Sequence, residues 1–148
     1  MIRTPATSLT LPAYAKINLH LAIGDLKDDG YHDVATVIAK LSLHDTLTFT
    51  TLEEETCEIT GFGDDLPMEK NLIYRAWDLM RDEYPRQAKG LRVEVEKRIP
   101  SGAGLGGGSS DAATTINAIH KLWNLSIPEQ ERARGWVAPW GRTYHRWY

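Results

Sequence analysis

The chain has 148 residues, a formal net charge of −3 and 42% hydrophobic residues, which suits one ordinary domain with a buried core. Charges of both signs are interspersed, so no basic stripe indicates nucleic acid or an anionic membrane as a partner. The single cysteine, Cys57, excludes an internal disulfide framework and fits a reducing compartment. No apolar run approaches the ~18 residues of a membrane span and no signal-peptide pattern opens the chain. We therefore expect a cytoplasmic protein that does not enter membranes.

The first part of the chain predicts strands. A strand over residues 14–23 has an apolar face opposite a face that carries Lys16, Asn18 and His20, as the period of two requires. A turn at residues 28–30 follows. Two more strands are predicted around Val34–Leu41 and Thr46–Thr51, then a short strand around Cys57–Thr60 and a loop to residue 65. The predicted apolar face of the first strand consists of Ile17, Leu19, Leu21 and Ile23.

The second part predicts a helix, a strand, a glycine loop and a second helix. Apolar residues recur at helical spacing over Asn71–Tyr84, and Pro85 ends that helix. A strand with one wet face covers residues 91–99, and a second amphipathic helix runs to Asn124. Ser109, Ser110 and Asp111 are the predicted N-caps of that helix. These elements predict an α+β domain.

The loop between that strand and that helix is the most informative feature. Five glycines fall within residues 102–108, and glycine permits positive φ and a close approach of the backbone to a ligand. A helix N-terminus adds free N–H groups and the positive end of a dipole, which suit phosphate. A flexible linker would not have an ordered strand and an amphipathic helix at its ends. The sequence therefore predicts a phosphate-binding loop.

Three common phosphate loops fit poorly. The Walker A pattern needs a lysine after its last glycine, where Ser109 stands. The dinucleotide pattern G-x-G-x-x-G is matched by Gly102, Gly104 and Gly107, but Glu129 and Glu131, at the distance of the ribose carboxylate, follow no predicted strand. The protein-kinase glycine loop lies in a hairpin and does not open a helix with serine caps.

Lys97 lies on the otherwise apolar face of the strand before the loop. One interpretation is an edge lysine whose ammonium reaches water. The other is a cation or donor held beside a nucleotide. The pattern alone leaves both open.

The full string P-S-G-A-G-L-G-G-G-S-S-D at Pro100–Asp111 resembles the signature of the GHMP small-molecule kinases. Three further motifs precede it in order: A-K-I-N-L at Ala15–Leu19, D-G-Y-H at Asp29–His32 and N-L-I at Asn71–Ile73. Together they resemble the branch of that family that acts on 4-diphosphocytidyl-2-C-methyl-D-erythritol in non-mevalonate isoprenoid biosynthesis. The resemblance runs from about Pro12 to Leu125.

That resemblance implies the N-terminal domain of a GHMP kinase, with the ribosomal protein S5 domain 2-like fold and a mixed sheet with helices. It implies transfer of the γ-phosphate of ATP, with Mg²⁺, to the 2-hydroxyl of the methylerythritol moiety. Lys16 would be the catalytic lysine, and Asn18, Tyr31 and His32 would line the substrate site, with His20 near it. Residues that would bind ATP are Asn71, Lys97, Pro100, Ser101, Gly102, Ala103, Gly104, Leu105, Gly106, Gly107, Gly108, Ser109 and Ser110.

The chain departs from the family after the second helix. The family's G-A-D-V-P motif carries an aspartate that acts as, or orients, the base, yet this sequence has no aspartate after Asp111. Degenerate codons for Trp140–His145 can encode G-A-D-V-P in a shifted reading frame. We therefore expect an incomplete ATP-binding domain over residues 1–134, a frameshift-derived tail over residues 135–148, and no second GHMP domain. A natural short paralogue with a partner-binding tail is the alternative.

Three functions follow from these observations. The leading one is a kinase fragment with weak or no phosphoryl transfer. The second is a non-catalytic nucleotide-binding module, and the third is a dinucleotide-binding domain of an oxidoreductase. Apolar surface exposed by a missing domain would favour association. The oligomeric state and the Mg²⁺ ligands stay open.

Overall fold

A computed structural model describes residues 7–28, 30–62 and 66–126. Four strands and two helices follow one another in the order β1 Ser8–Leu26, β2 His32–Leu52, β3 Cys57–Thr60, α1 Leu72–Glu83, β4 Gly90–Glu96 and α2 Gly107–Leu122. A short 3₁₀ helix, Met68–Lys70, precedes α1. The predicted α+β class is confirmed. The predicted tail over residues 135–148, and the boundary at 134, lie outside the described residues.

The strands form one mixed sheet in the order β1-β2-β4-β3. Strand β2 pairs antiparallel with both β1 and β4, whereas β3 pairs parallel with β4. The parallel pair is possible because α1 crosses over between its two strands. Such a sheet differs from the parallel sheet of a dinucleotide-binding domain, which weighs against the oxidoreductase alternative.

The two strands predicted around Val34–Leu41 and Thr46–Thr51 are one long strand, β2. Opposite the predicted break, the pairing moves from Tyr14 with His44 to Lys16 with Lys40. Residues 41–43 therefore face the single residue Ala15, which is a bulge. The bulge absorbs the irregular sequence without ending the strand, and that is why the predicted break was wrong.

The core lies between the sheet and the two helices. The predicted inner face of β4 is buried, with Leu91 and Val93 fully inaccessible and Val95 7% exposed. Both helices bury the faces that their periodicity predicts. The buried helical residues include Ile73, Ala76, Met80, Ala112, Ile116 and Ile119.

The far half of the β1–β2 hairpin has no such cover in the part of the chain that the structure describes. Leu19 and Ile23 are 65% and 66% exposed, so the apolar face predicted for this strand is not buried over this half. The physical reason is the length of the strands, because β4 pairs only with Thr46–Leu52 of β2. The hairpin extends past the layer that covers the rest of the sheet.

Within the described ranges, neither helix is long and apolar enough to cross a bilayer.

Candidate nucleotide site

The glycine loop joins β4 to α2 and is shaped by three left-handed residues. Gly102, Gly104 and Gly106 have φ of 73°, 73° and 71°, a conformation that costs other L-residues roughly 1–2 kcal/mol. Gly106 is the N-cap of α2 and provides no side-chain cap. The helix thus begins two residues before Ser109, and the predicted N-caps Ser109, Ser110 and Asp111 were wrong. They lie in the first turn, because left-handed Gly106 starts the helix earlier.

An uncapped N-terminus leaves backbone donors available. The first helical hydrogen bond across this end runs from the N–H of Ser110 to the carbonyl oxygen of Gly106 at 2.9 Å. The N–H groups of Gly107, Gly108 and Ser109 precede it and have no partner within the helix. Such groups at a helix N-terminus bind anions, phosphate above all.

A cavity of about 580 Å³ lies against this loop. Every residue predicted to bind ATP lines it except Ser110. Sequence reasoning missed the lining residues from the segment before α1, those from α1 itself and Asp111 of α2, since their contribution depends on how these parts pack beside the loop. The missed lining residues are Phe62, Leu66, Lys70, Leu72, Ile73, Arg75 and Asp111.

Lys16 reaches the loop from β1. Its backbone N–H donates to the carbonyl oxygen of Leu105 at 2.9 Å, and a Cβ added to Gly106 would lie 3.1 Å from both Cγ and Cε of Lys16. Lys16 does not line the cavity, but it contacts Gly106, which does.

The ammonium of Lys16 is held by its neighbour on the strand. Lys16 Nζ donates to Asn18 Oδ1 at 2.8 Å, and Asn18 Nδ2 donates to Thr36 Oγ1 at 3.1 Å. The prediction that Lys16 and Asn18 point to one side of the strand is confirmed. The three polar groups form a chain that fixes the amide with its oxygen towards the lysine.

Asn71 lines the cavity and caps α1. Its Oδ1 accepts a hydrogen bond from the backbone N–H of Ile73 at 2.9 Å, and its side chain is buried. One amide oxygen is therefore committed to the helix, whereas its Nδ2 group is left to donate.

Lys97 does not behave as an edge lysine. Its Nζ lies 2.5 Å from Asp45 Oδ2 and 3.1 Å from Asp111 Oδ2, and it also lines the cavity. Burial alone would lower the pKa of Lys97, but the two carboxylates raise it above its usual value, so the side chain stays charged. The interpretation that its ammonium reaches water as an isolated head group was wrong.

Asp45 was not predicted as a site residue, although a signal was present. It is fully buried on β2 and precedes Leu47 and Phe49 at a spacing of two, so the sequence puts an acid on an apolar face. Lys97 directly follows β4 and continues the alternation of its apolar face. An acid on the inner face of β2 and a base at the adjoining end of β4 predict an ion pair.

Tyr31 and His32 lie at the far end of the hairpin. His32 Nδ1 is 2.8 Å from the carbonyl oxygen of Gly24, and the carbonyl oxygen of Tyr31 accepts from the N–H of Lys27 at 2.7 Å. Neither residue lines the cavity. The strand partner of His32 is Leu26, ten residues beyond Lys16, which is about 33 Å along a straight strand. The bond from Thr36 Oγ1 to the carbonyl oxygen of His20 involves only the backbone of His20.

Comparisons with known proteins identify the family. The model of the GHMP kinases N terminal domain matches residues 71–145. A 4-diphosphocytidyl-2-C-methyl-D-erythritol kinase of Acinetobacter baumannii is 40% identical over 126 residues, covering 85% of this chain and 45% of the relative. The kinase of the same name from Chlorobaculum parvum is 46% identical over 120 residues, covering 80% of this chain and 41% of the relative.

Solved structures agree with these sequence comparisons. A crystal structure of 4-(cytidine 5'-diphospho)-2C-methyl-D-erythritol kinase superposes with a TM-score of 0.71 and 36% identity, over 86% of this chain and 45% of that chain. A homoserine kinase from Cytophaga hutchinsonii shares the fold at a TM-score of 0.61 with 17% identity, over 89% of this chain and 40% of that chain. The chain thus spans less than half the length of these proteins. Since the family model matches more than half of its residues, the chain belongs to the GHMP kinases.

Proposed function

We propose that this chain binds ATP with Mg²⁺ in the cavity at the glycine loop. It would do so as the donor side of a kinase that phosphorylates the 2-hydroxyl of 4-diphosphocytidyl-2-C-methyl-D-erythritol. The observation that carries the proposal is the attachment of Lys16 to the loop, through Leu105 and Gly106. A cation held at the edge of a cradle of free N–H groups is what phosphoryl transfer requires.

Phosphoryl transfer requires little covalent chemistry from the protein. Transfer of a phosphoryl group depends on placing donor and acceptor in line and on neutralising the charge that spreads over the phosphate oxygens. The N–H groups at the start of α2 would bind the phosphates, and the Lys16 ammonium would stabilise the transferred group. Asn18 would keep that ammonium in place, since its oxygen already accepts from Nζ.

Mg²⁺ would further neutralise the phosphates when bound. The described residues contain no group of three or more His, Cys, Asp or Glu side chains that could hold a metal ion. In nucleotide complexes the phosphates and water supply most ligands of Mg²⁺, and the protein supplies one or two. We assign no protein ligand to the ion.

Asn18, Tyr31 and His32 are proposed to contact the acceptor substrate. The aromatic ring of Tyr31 suits stacking on a pyrimidine, because any base presents a π-face. These residues and Lys16 lie on one hairpin, but Tyr31 and His32 are about 33 Å from Lys16 along a straight strand, so one substrate contacts both ends only if the hairpin curves. The register of β1 with β2 is irregular at three places, and such irregularities bend a strand.

Turnover is proposed to be weak or absent in this sequence. Residues 135–148, where the family's G-A-D-V-P motif is expected, contain no aspartate, so the expected base has no counterpart among these residues. The alternative, a module that binds nucleotide without chemistry, is favoured by the same observation.

Equilibrium titration with ATP and Mg²⁺, together with an assay of ADP formation with and without the diphosphocytidyl substrate, tests the proposal. We expect saturable ATP binding with little substrate-dependent turnover. No ATP binding would overturn the proposal, and rapid substrate-dependent ADP formation would overturn the weak-turnover part of it. Saturable binding without any turnover would favour the binding module.

Lys16→Met, with Lys40→Met as its matched control, tests the role of Lys16. The two lysines are opposite each other on paired strands, and the Lys40 ammonium lies over the Tyr14 ring, 4.2 Å from its centroid. We expect Lys16→Met to weaken ATP binding several-fold and Lys40→Met to leave it unchanged. Equal effects would show a general effect of charge instead.

A further inference from the structure

Two buried acids hold one lysine at the base of the glycine loop. Lys97 precedes the loop and Asp111 follows it, and their ion pair at 3.1 Å joins the two ends. Asp45 lies on β2 and contacts the same ammonium at 2.5 Å. Asp45 and Asp111 are 0% and 1% exposed, so water screens these contacts little.

Asp45 also fixes the backbone where the chain leaves β4. Its Oδ1 accepts from the N–H groups of Arg98 and Ile99 at 2.6 Å and 2.8 Å. Burial alone would raise the pKa of Asp45, but these N–H groups and Lys97 hold it below its usual value. Asp45 is therefore ionised, because its contacts outweigh the effect of burial on its pKa.

The negative charge of Asp111 is compensated less well by its contacts than that of Asp45. Burial raises its pKa to about 6, and the nearby Asp45 adds to the rise, although Lys97 opposes it. Its Oδ1 atom is buried without a hydrogen-bond partner among the described residues. At neutral pH the ionised side chain therefore costs folding free energy relative to a neutral side chain of the same shape.

We infer that Asp111 is a positioning residue of the glycine loop, which it closes at its base by holding Lys97, while Asp45 anchors that contact to the sheet. This inference rests on the proposed ATP binding at the same loop. A carboxylate beside a phosphate site adds repulsion as well as a folding cost. Asp111 contributes to binding instead through its ion pair with Lys97, which fixes the geometry of the loop between residues 97 and 111.

Asp111→Asn in the full chain tests this inference through two readouts that should move in opposite directions. Asparagine keeps the shape and an acceptor oxygen but removes the charge. We expect the thermal midpoint at pH 7.5 to rise by about 3–8 °C, because the buried charge is gone. We expect the affinity for ATP with Mg²⁺ to fall about tenfold, because the charge-assisted contact is lost. A purely structural role would lower both quantities together.

The pH dependence of the thermal midpoint provides a second readout. The pKa of Asp111 is higher in the folded chain, at about 6, than the roughly 3.9 of an unfolded aspartate. The folded state therefore holds more protons between about pH 4 and pH 6, and the wild-type chain loses stability as pH rises through that window. The charged groups that face Asp111 there are Lys97 and Asp45, which both keep their charge. The stability advantage of Asp111→Asn should therefore shrink towards pH 4.

Glu58→Gln is the matched control, since it removes the carboxylate of an ion pair with Arg92, at 2.7 Å, away from the loop. We expect it to change ATP affinity less than twofold. Unchanged or tighter ATP binding by Asp111→Asn, or a lowered thermal midpoint, would overturn the inference alone. Absence of ATP binding by the wild-type chain would overturn the proposed function, and this inference with it.

Discussion

The backbone N–H of Lys16 donates to the carbonyl oxygen of Leu105 at 2.9 Å, which ties the first strand directly to the glycine loop. The two residues are 89 positions apart, and the bond places the lysine against the last turn of the loop before α2 begins. Because this bond joins main-chain atoms, it fixes the backbone of Lys16 beside the loop whatever conformation the flexible side chain adopts. The loop and the lysine are expected to respond together to substitutions in either.

Gly106→Ala is expected to disturb the lysine as well as the loop. The new Cβ would lie 3.1 Å from Cγ and Cε of Lys16, and the positive φ of 71° adds a backbone cost of about 1–2 kcal/mol. We expect ATP affinity to fall at least tenfold, as measured by equilibrium titration.

Gly104→Ala is the control for that substitution. Gly104 has the same backbone conformation, with φ of 73°, but a Cβ there meets nothing within 4 Å. Gly104→Ala should therefore have only the backbone cost, and its loss of ATP affinity should be smaller than that of Gly106→Ala. Equal losses in the two variants would show that the contact with Lys16 does not matter.

Local pattern was sufficient to predict the secondary structure around the site. Residues 90–96 alternate, and α1 and α2 have helical periodicity, so β4 and both helices could be placed from sequence alone. The start of α2 could not, because serine and aspartate are good caps anywhere, and only the left-handed backbone of Gly106 shows where the helix begins.

Long-range pairing limited the prediction of the site. The contacts of Lys97 with Asp45 and Asp111 span 52 and 14 positions, and they depend on which strand lies beside β4. The position of Lys97 on an apolar face left two interpretations open, and only the strand order β1-β2-β4-β3 identifies Asp45 as its partner. The exposure of the outer hairpin was missed for a related reason, since sequence alternation shows an apolar face but not what covers it.

Asp45→Ala is expected to be the most destabilising single change near the loop. It leaves the N–H groups of Arg98 and Ile99 without their acceptor and removes one of two counter-charges from Lys97. Removing one member of a buried ion pair costs about 3–5 kcal/mol, which chemical denaturation would measure. Asp45→Asn retains an acceptor oxygen and should cost clearly less.

Glu96→Gln is the control for Asp45, because its ion pair with Arg98 is 2.7 Å long but half exposed on both sides. Exposed pairs contribute about 0–1 kcal/mol. A cost for Asp45→Ala no larger than that of Glu96→Gln would contradict the assignment of Asp45 as an anchor.

Asp45 should also contribute to acid unfolding. Its pKa is lower in the folded chain than in the unfolded one, so the stabilisation is present above about pH 4 and is lost as pH falls through the folded-state pKa. In a series of denaturation curves below pH 4, Asp45→Asn should lose less stability than the wild-type chain does. Parallel curves for the two proteins would count against this prediction.

Asn71 combines a helix cap with a position in the cavity, and two substitutions separate these roles. Asn71→Ser keeps a cap oxygen for the N–H of Ile73 without adding a charge to the cavity, so helix stability should be kept while the Nδ2 donor is lost. Asn71→Ala removes the cap as well and should cost about 1 kcal/mol of folding stability. A nucleotide contact through Nδ2 predicts weaker ATP binding by both variants, whereas a capping role alone would leave Asn71→Ser at wild-type affinity.

The exposed apolar side chains of the hairpin predict association at high protein concentration. Leu19 and Ile23 are about two-thirds exposed on strand β1, which lies at an edge of the sheet. Contiguous apolar surface and an open strand edge both favour contact between copies. Replacing both residues by serine should reduce the sedimentation coefficient measured at high concentration towards the monomer value.

Met68→Ser is the control, because Met68 is also exposed, at 37%, but lies on the 3₁₀ helix away from the hairpin. All three proteins would be measured over about a tenfold range of concentration, since contact between apolar patches depends on concentration. If the double variant sediments like the wild-type chain over that range, the hairpin surface does not drive association.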